Sequence, residues 1–75
     1  MTYDFTANAR TRMQERGIRE DEVRAVLEAP DHLGPWLEGR WRAVRRVRER
    51  LLEVVFVRDL FQCQIQTAYW QEPTA

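Results

Sequence analysis

The sequence predicts one α+β domain over residues 1–75, an N-terminal αα-hairpin packed on a three- to four-stranded antiparallel sheet. Three observations point there. Apolar residues recur at helical spacing up to Pro30 and at a spacing of two beyond it. Pro30 itself separates the two regimes, because proline disfavours helical geometry in the residue before it. Finally, 75 residues with 44% hydrophobic content suffice for one modest core and no more.

Each element has its own warrant. Tyr3 to Phe5 reads as a short extended lead-in, with Thr6 as N-cap of a helix from Ala7 to Arg16. Gly17 ends that helix in the left-handed position, and Ala9 and Met13, four apart, face the core. A second helix opens with Glu20, Asp21 and Glu22, where negative charge complements the dipole. Its apolar stripe is Val23, Val26 and Leu27, and it stops at Ala29-Pro30. His32 to Glu38 reads as a loop with a short strand around Trp36 and Leu37. Arg40 to Val47 then alternates as a strand, and Arg48, Glu49 and Arg50 form a hairpin connection without the usual Gly or Asn. Leu51 to Val57, rich in β-branched residues, is the expected central strand. After a turn at Arg58 and Asp59, Leu60 to Trp70 is expected to set Phe61, Cys63, Ile65, Thr67 and Tyr69 on one face. Gln62, Gln64 and Gln66 take the other. Residues 71–75 read as a frayed tail.

Composition narrows the function classes. No apolar run approaches a membrane span, and the first residues resemble no signal peptide, so a cytoplasmic protein without membrane partners is expected. Cys63 is the lone cysteine, and no CxxC or paired histidines suggest a metal site. No cofactor is expected either. Net charge is zero, which argues against a strongly basic nucleic-acid binder, yet the charges are segregated. Residues 20–38 carry six acids against Arg24, and residues 40–50 carry six arginines against Glu49. All twelve basic residues are arginine, the side chain suited to bidentate phosphate contacts.

Three constellations have a chemical reading beside a structural one. Asn8, Arg12 and Arg16 recur every four residues as one polar helix stripe, which is either a solvated face or a site. On the basic strand, alternation places Arg40, Arg42, Arg46 and Arg48 on one face, where a polyanion would relieve their repulsion. The same face also serves as a solvated exterior that discourages edge pairing. Arg45, on the inward face, implies a bulge or a polar pocket. At the end of the last strand, Thr67 and Tyr69 offer hydroxyls for proton transfer or phosphate positioning, or else pack with satisfied hydroxyls. His32 stands alone and joins none of these.

The run ANARTRMQERGIREDEVRAVLEAPD, with Arg16-Gly17-Ile18 followed by Pro30-Asp31, and the later LLEVVFVRD and QIQTAYW resemble an uncharacterised bacterial domain family. That family in turn resembles the RelE/ParE-like toxins and related metal-independent ribonucleases. The resemblance covers nearly the whole chain and implies a RelE-like fold. It matches Arg12 and Arg16 to the family's arginines, and Thr67 and Tyr69 to a threonine and an aromatic residue of the last strand. Asn8 stands where the family has histidine, and an amide is neither acid nor base near neutral pH. The activity implied is a toxin-type endoribonuclease in which Arg12, Arg16 and Arg46 stabilise charge on phosphorus and Tyr69 moves a proton. Arg12, Arg16 and Tyr69 are the candidate catalytic residues; Asn8, Arg42, Arg46 and Thr67 are the candidate substrate-binding ones. The alternative is a non-catalytic module that holds nucleic acid or an acidic protein, or dimerises through a sheet edge. RNA or another polyanion, a cognate antitoxin protein and a second copy of the chain are the expected partners.

Overall fold

The computed structural model describes residues 2–71. In chain order it contains β1 (Thr2–Phe5), α1 (Ala7–Arg16), α2 (Glu20–Glu28) and β2 (His32–Pro35). A 3-10 turn (Leu37–Gly39), β3 (Trp41–Val47), β4 (Arg50–Arg58) and β5 (Gln62–Trp70) follow. The strands form one mixed sheet in the order β1-β5-β4-β3-β2. β1 runs parallel to β5, and every other neighbour is antiparallel.

This overturns the expected αα-hairpin on a three- to four-stranded antiparallel sheet, although the α+β class holds. The extended lead-in is a full edge strand, and a strand that precedes both helices runs parallel to the last one. The helices pack on separate strands, α1 against β5 and α2 against β3 and β4. Both lie on the same sheet face, where Ala9, Met13, Val23 and Val26 meet Ala43, Leu52, Val54, Phe56, Ile65, Ala68 and Trp70. The expected strand at Trp36 and Leu37 falls instead at His32–Pro35, and Trp36 leads into the 3-10 turn. The expected frayed tail lies, from residue 72 onward, outside the described residues. Among the described residues no helix is long and apolar enough to cross a membrane.

The helix boundaries follow their caps. Thr6 accepts the Ala9 N–H at 3.0 Å, and Gly17 adopts φ 65°. In α2, Glu22 reaches back to the Arg19 N–H at 2.9 Å. Arg45, on the core side of β3, donates to the Ala25 carbonyl at 3.2 Å in the last turns of α2, where the dipole favours a cation. No bulge is needed to place it.

The bulge lies in β5 instead. Val55 pairs with Thr67 while Phe56 pairs with Ile65, so one extra residue intervenes on β5. Side-chain parity then reverses. Cys63 and Ile65 point to the core, and beyond the bulge Ala68 and Trp70 do, whereas Thr67 and Tyr69 turn to the uncovered face. The single-face reading of Phe61, Cys63, Ile65, Thr67 and Tyr69 is corrected by that residue, and Phe61 lies outside β5, exposed in the preceding turn. Burial pushes the Cys63 thiol up, so it stays a neutral packing group.

Two turns lead to predictions. The β3–β4 hairpin turns on Arg48 and Glu49, at φ 52° and 66°, the left-handed pair of a type I′ turn. A side chain there costs about 1 kcal/mol, so Glu49→Gly is expected to stabilise the domain by about that amount, read as a rise in melting temperature of about 5 °C. In the β4–β5 turn, Asp59 accepts the Phe61 and Gln62 N–H groups, both at 2.8 Å. Those bonds hold its carboxyl below the usual aspartate range. A lowered folded-state value stabilises the turn above the unfolded-state value and loses that effect as pH falls through the folded one. Amide resonances of Phe61 and Gln62 are therefore expected to shift towards open-turn positions in acid, and Asp59→Asn to weaken that response.

Candidate functional site

The site begins with an interrupted sheet edge. β1 pairs with β5 only from Gln62 to Ile65, after which the chain leaves the sheet to start α1. Beyond that point, among the described residues, no strand neighbours this edge of β5, and Thr6 and α1 supply donors to its carbonyls. Thr6 N–H donates to Ile65 O at 3.1 Å, Asn8 Nδ2 to Gln66 O at 3.2 Å and Arg16 Nη1 to Ala68 O at 2.8 Å. Trp70 Nε1 returns a bond to Arg16 O at 2.8 Å. Asn8 and Arg16 therefore occupy the place of a strand and satisfy backbone groups. Arg12, between them on the stripe, instead pairs with Glu15 at 2.9 Å in solvent.

Arg16 has further donors beyond the one bound to Ala68. Its guanidinium carbon lies 6.0 Å from the Tyr69 ring centroid, and Arg16, Arg50, Tyr69 and Trp70 line one open cleft at this end of the sheet. Arg50 lies 4.5 Å and Arg48 5.2 Å from the Trp70 ring centroid. Among the described residues, every ion pair involves other arginines than Arg16 and Arg50. Among the described residues the cleft thus presents two guanidiniums with no carboxylate in an ion pair with either.

The uncovered sheet face continues from Tyr69. The Tyr69 hydroxyl donates to Glu53 Oε2, and Gln71 Nε2 donates to Glu53 Oε1 at 2.7 Å. Arg42 lies 3.7 Å from the same carboxylate and 4.5 Å over the Trp36 ring. Thr67 shares a cross-strand row with Val55 and Arg42. Arg46 lies farther along this face, its backbone N–H bonded to Asp31 Oδ2 at 3.1 Å. Among the described residues no group of three His, Cys, Asp or Glu side chains is placed to hold a metal ion.

Of the residues expected from the sequence, Arg16 and Tyr69 meet in the cleft, and Arg42 joins them through Glu53. Thr67 and Arg46 share the outer face with Tyr69. Asn8 and Arg12 stand apart, at the β5 edge and in solvent. The residues missed are Arg50, Trp70, Glu53 and Gln71. Glu53 carried a readable signal, a single charge inside the apolar run Leu51–Val57. Trp70 carried none, because only the bulge turns it inward beside the arginines.

A family model described as a domain of unknown function (DUF4258) matches residues 5–70. No curated protein and no solved structure matches the chain.

Proposed function

The chain belongs to the DUF4258 family, a domain of unknown function, and we propose that this member is a toxin-type endoribonuclease that needs no metal ion. The observation that carries this reading is the cleft in which Arg16 and Arg50 flank Tyr69 and Trp70, neither arginine forming an ion pair among the described residues. Two such guanidiniums suit the non-bridging oxygens of one phosphodiester. RNA brings its own nucleophile. The 2′-oxygen attacks the adjacent phosphorus, the bond to the 5′-oxygen breaks, and the ends left are a 2′,3′-cyclic phosphate and a 5′-hydroxyl. Arg16 and Arg50 hold the oxygens on which charge builds, and the bond from Arg16 to Ala68 O keeps its guanidinium preorganised. Tyr69 is the hydroxyl at hand for proton movement.

The test is incubation with mixed RNA in EDTA, beside an Arg16→Ala, Arg50→Ala variant, with end-group analysis. Cyclic-phosphate ends from the parent and none from the variant support the reading. Cleavage that EDTA abolishes, or that the variant retains, overturns it. A second reading, RNA binding without cleavage, is favoured by one observation. Asn8, where the resemblance expects histidine, already spends its amide on Gln66 O and is neither acid nor base near neutral pH. Salt-sensitive RNA retention without cleavage is its signature.

A further inference from the structure

We propose that Glu53 is the proton acceptor of this site and works through Tyr69. The inference rests on the ribonuclease reading and adds the base that it lacks. Glu53 is 1% exposed although it lies on the sheet face that neither helix covers. Its neighbours along β4, Val54 and Val55, are buried apolar residues. An apolar side chain would fill the same position without the several kcal/mol that burying a carboxylate costs. The carboxylate is instead held by three groups: the Tyr69 hydroxyl, Gln71 Nε2 at 2.7 Å and Arg42 at 3.7 Å. Tyr69 then extends from this buried acid to the cleft, where its ring lies beside Arg16.

That arrangement can relay one proton. As the 2′-oxygen attacks phosphorus, its proton passes to the Tyr69 oxygen, and the Tyr69 proton passes to Glu53. The departing 5′-oxygen takes a proton from water, and Glu53 returns its own to solvent through Tyr69. Nothing is oxidised or reduced. Arg42 and Gln71 position the carboxylate, and Glu53 itself is a positioning and accepting group that never touches the RNA. The competing role is a cross-strand pair that merely fixes the β4–β5 register, since Glu53 and Tyr69 stand opposite each other.

A pH profile separates the two roles. Among the described residues the charged or titratable groups on the Glu53 side of the sheet are Tyr69 from β5 and Arg42 and Arg46 from β3, with Arg16 of α1 beyond Tyr69. His32 of β2 lies in the same cross-strand row, past Val44, and is the control position. The experiment is single-turnover cleavage of a short RNA across pH by the full chain and by Glu53→Gln, Tyr69→Phe and His32→Gln. Binding of the fully 2′-deoxy oligonucleotide and circular dichroism are measured on each protein. Glu53→Gln and Tyr69→Phe are expected to lose about 100-fold in rate and the acid limb, with analogue binding unchanged. His32→Gln is expected to keep both. If Glu53→Gln fails to fold, Tyr69→Phe applies the same test from the exposed side. A near-parental rate or a retained acid limb in the folded variants overturns the inference while the ribonuclease reading stands. A parent that binds the analogue but cleaves no RNA overturns that reading, and the inference with it.

Discussion

Removing both cleft arginines, Arg16→Ala with Arg50→Ala, is expected to slow RNA cleavage by at least about 1,000-fold, whereas Arg12→Ala with Arg46→Ala costs about tenfold or less. The difference comes from geometry. Arg16 and Arg50 share the cleft with Tyr69, and neither is neutralised by a described carboxylate. Arg12 is paired with Glu15 on a solvated helix face, and Arg46 lies farther along the sheet. Loss of one preorganised donor at a developing oxyanion typically costs about 100- to 1,000-fold, and two donors on one phosphate act as a unit, so the double loss falls short of the product. Arg16→Ala also frees the Ala68 carbonyl, which weakens folding by about 1 kcal/mol. Arg16→Gln is therefore the control, because its amide can still serve that carbonyl without a charge for phosphate. Initial rates at subsaturating RNA, with circular dichroism on each variant, measure the effect. A larger loss from the Arg12 and Arg46 pair would return the site to the solvated helix stripe.

Local chemistry made much of the fold legible, and long-range pairing hid the rest. Thr6 and Gly17 bounded the first helix because caps act within one turn. The apolar alternation of β3 and β4 placed Arg42 and Arg46 on the outer face for a similarly local reason. Whether Thr2–Phe5 forms a strand depends on a partner some 60 residues away, β5, and no feature of four residues announces it. The same applies to the β5 bulge. Gln66 and Thr67 look like any alternating pair, yet the extra residue sends Tyr69 outward to Glu53 and Trp70 inward beside Arg50. That one displacement takes Tyr69, already a candidate catalytic residue, off the core face on which the alternation put it. The helix stripe misled in the opposite sense. Its polarity serves the unpaired edge of β5 as much as any ligand, because a strand edge without a neighbour needs donors.

The hairpin tip that carries Arg50 is held down from α2, and cutting that tie is expected to be costly. Arg48→Ala should destabilise the domain by about 2 kcal/mol, discounted from the cost of breaking a fully buried pair because the arginine itself is partly in solvent. Glu22 is only 5% exposed. Arg48 Nε lies 2.6 Å from its Oε2, and an Arg48 Nη2 donates to Oε1 at 3.1 Å and to Gly17 O at 3.2 Å. Without Arg48, Glu22 keeps the Arg19 N–H and a distant, exposed guanidinium at 3.8 Å. Two further variants separate the causes. Arg48→Asn suits the left-handed backbone, so it removes the turn strain while still losing the ion pair, and it should recover only part of the stability. Adding Glu22→Gln to Arg48→Ala removes the uncompensated buried charge and should recover most of it, since the amide oxygen can still cap α2. Urea unfolding measures all three. If Glu22→Gln restores nothing, the loss belongs to Arg48 packing on Trp70 and not to the buried carboxylate. If it restores both stability and RNA cleavage, the unpaired charge on Glu22 is what displaces Arg50, and the ion pair itself is not needed to hold Arg50 at the cleft.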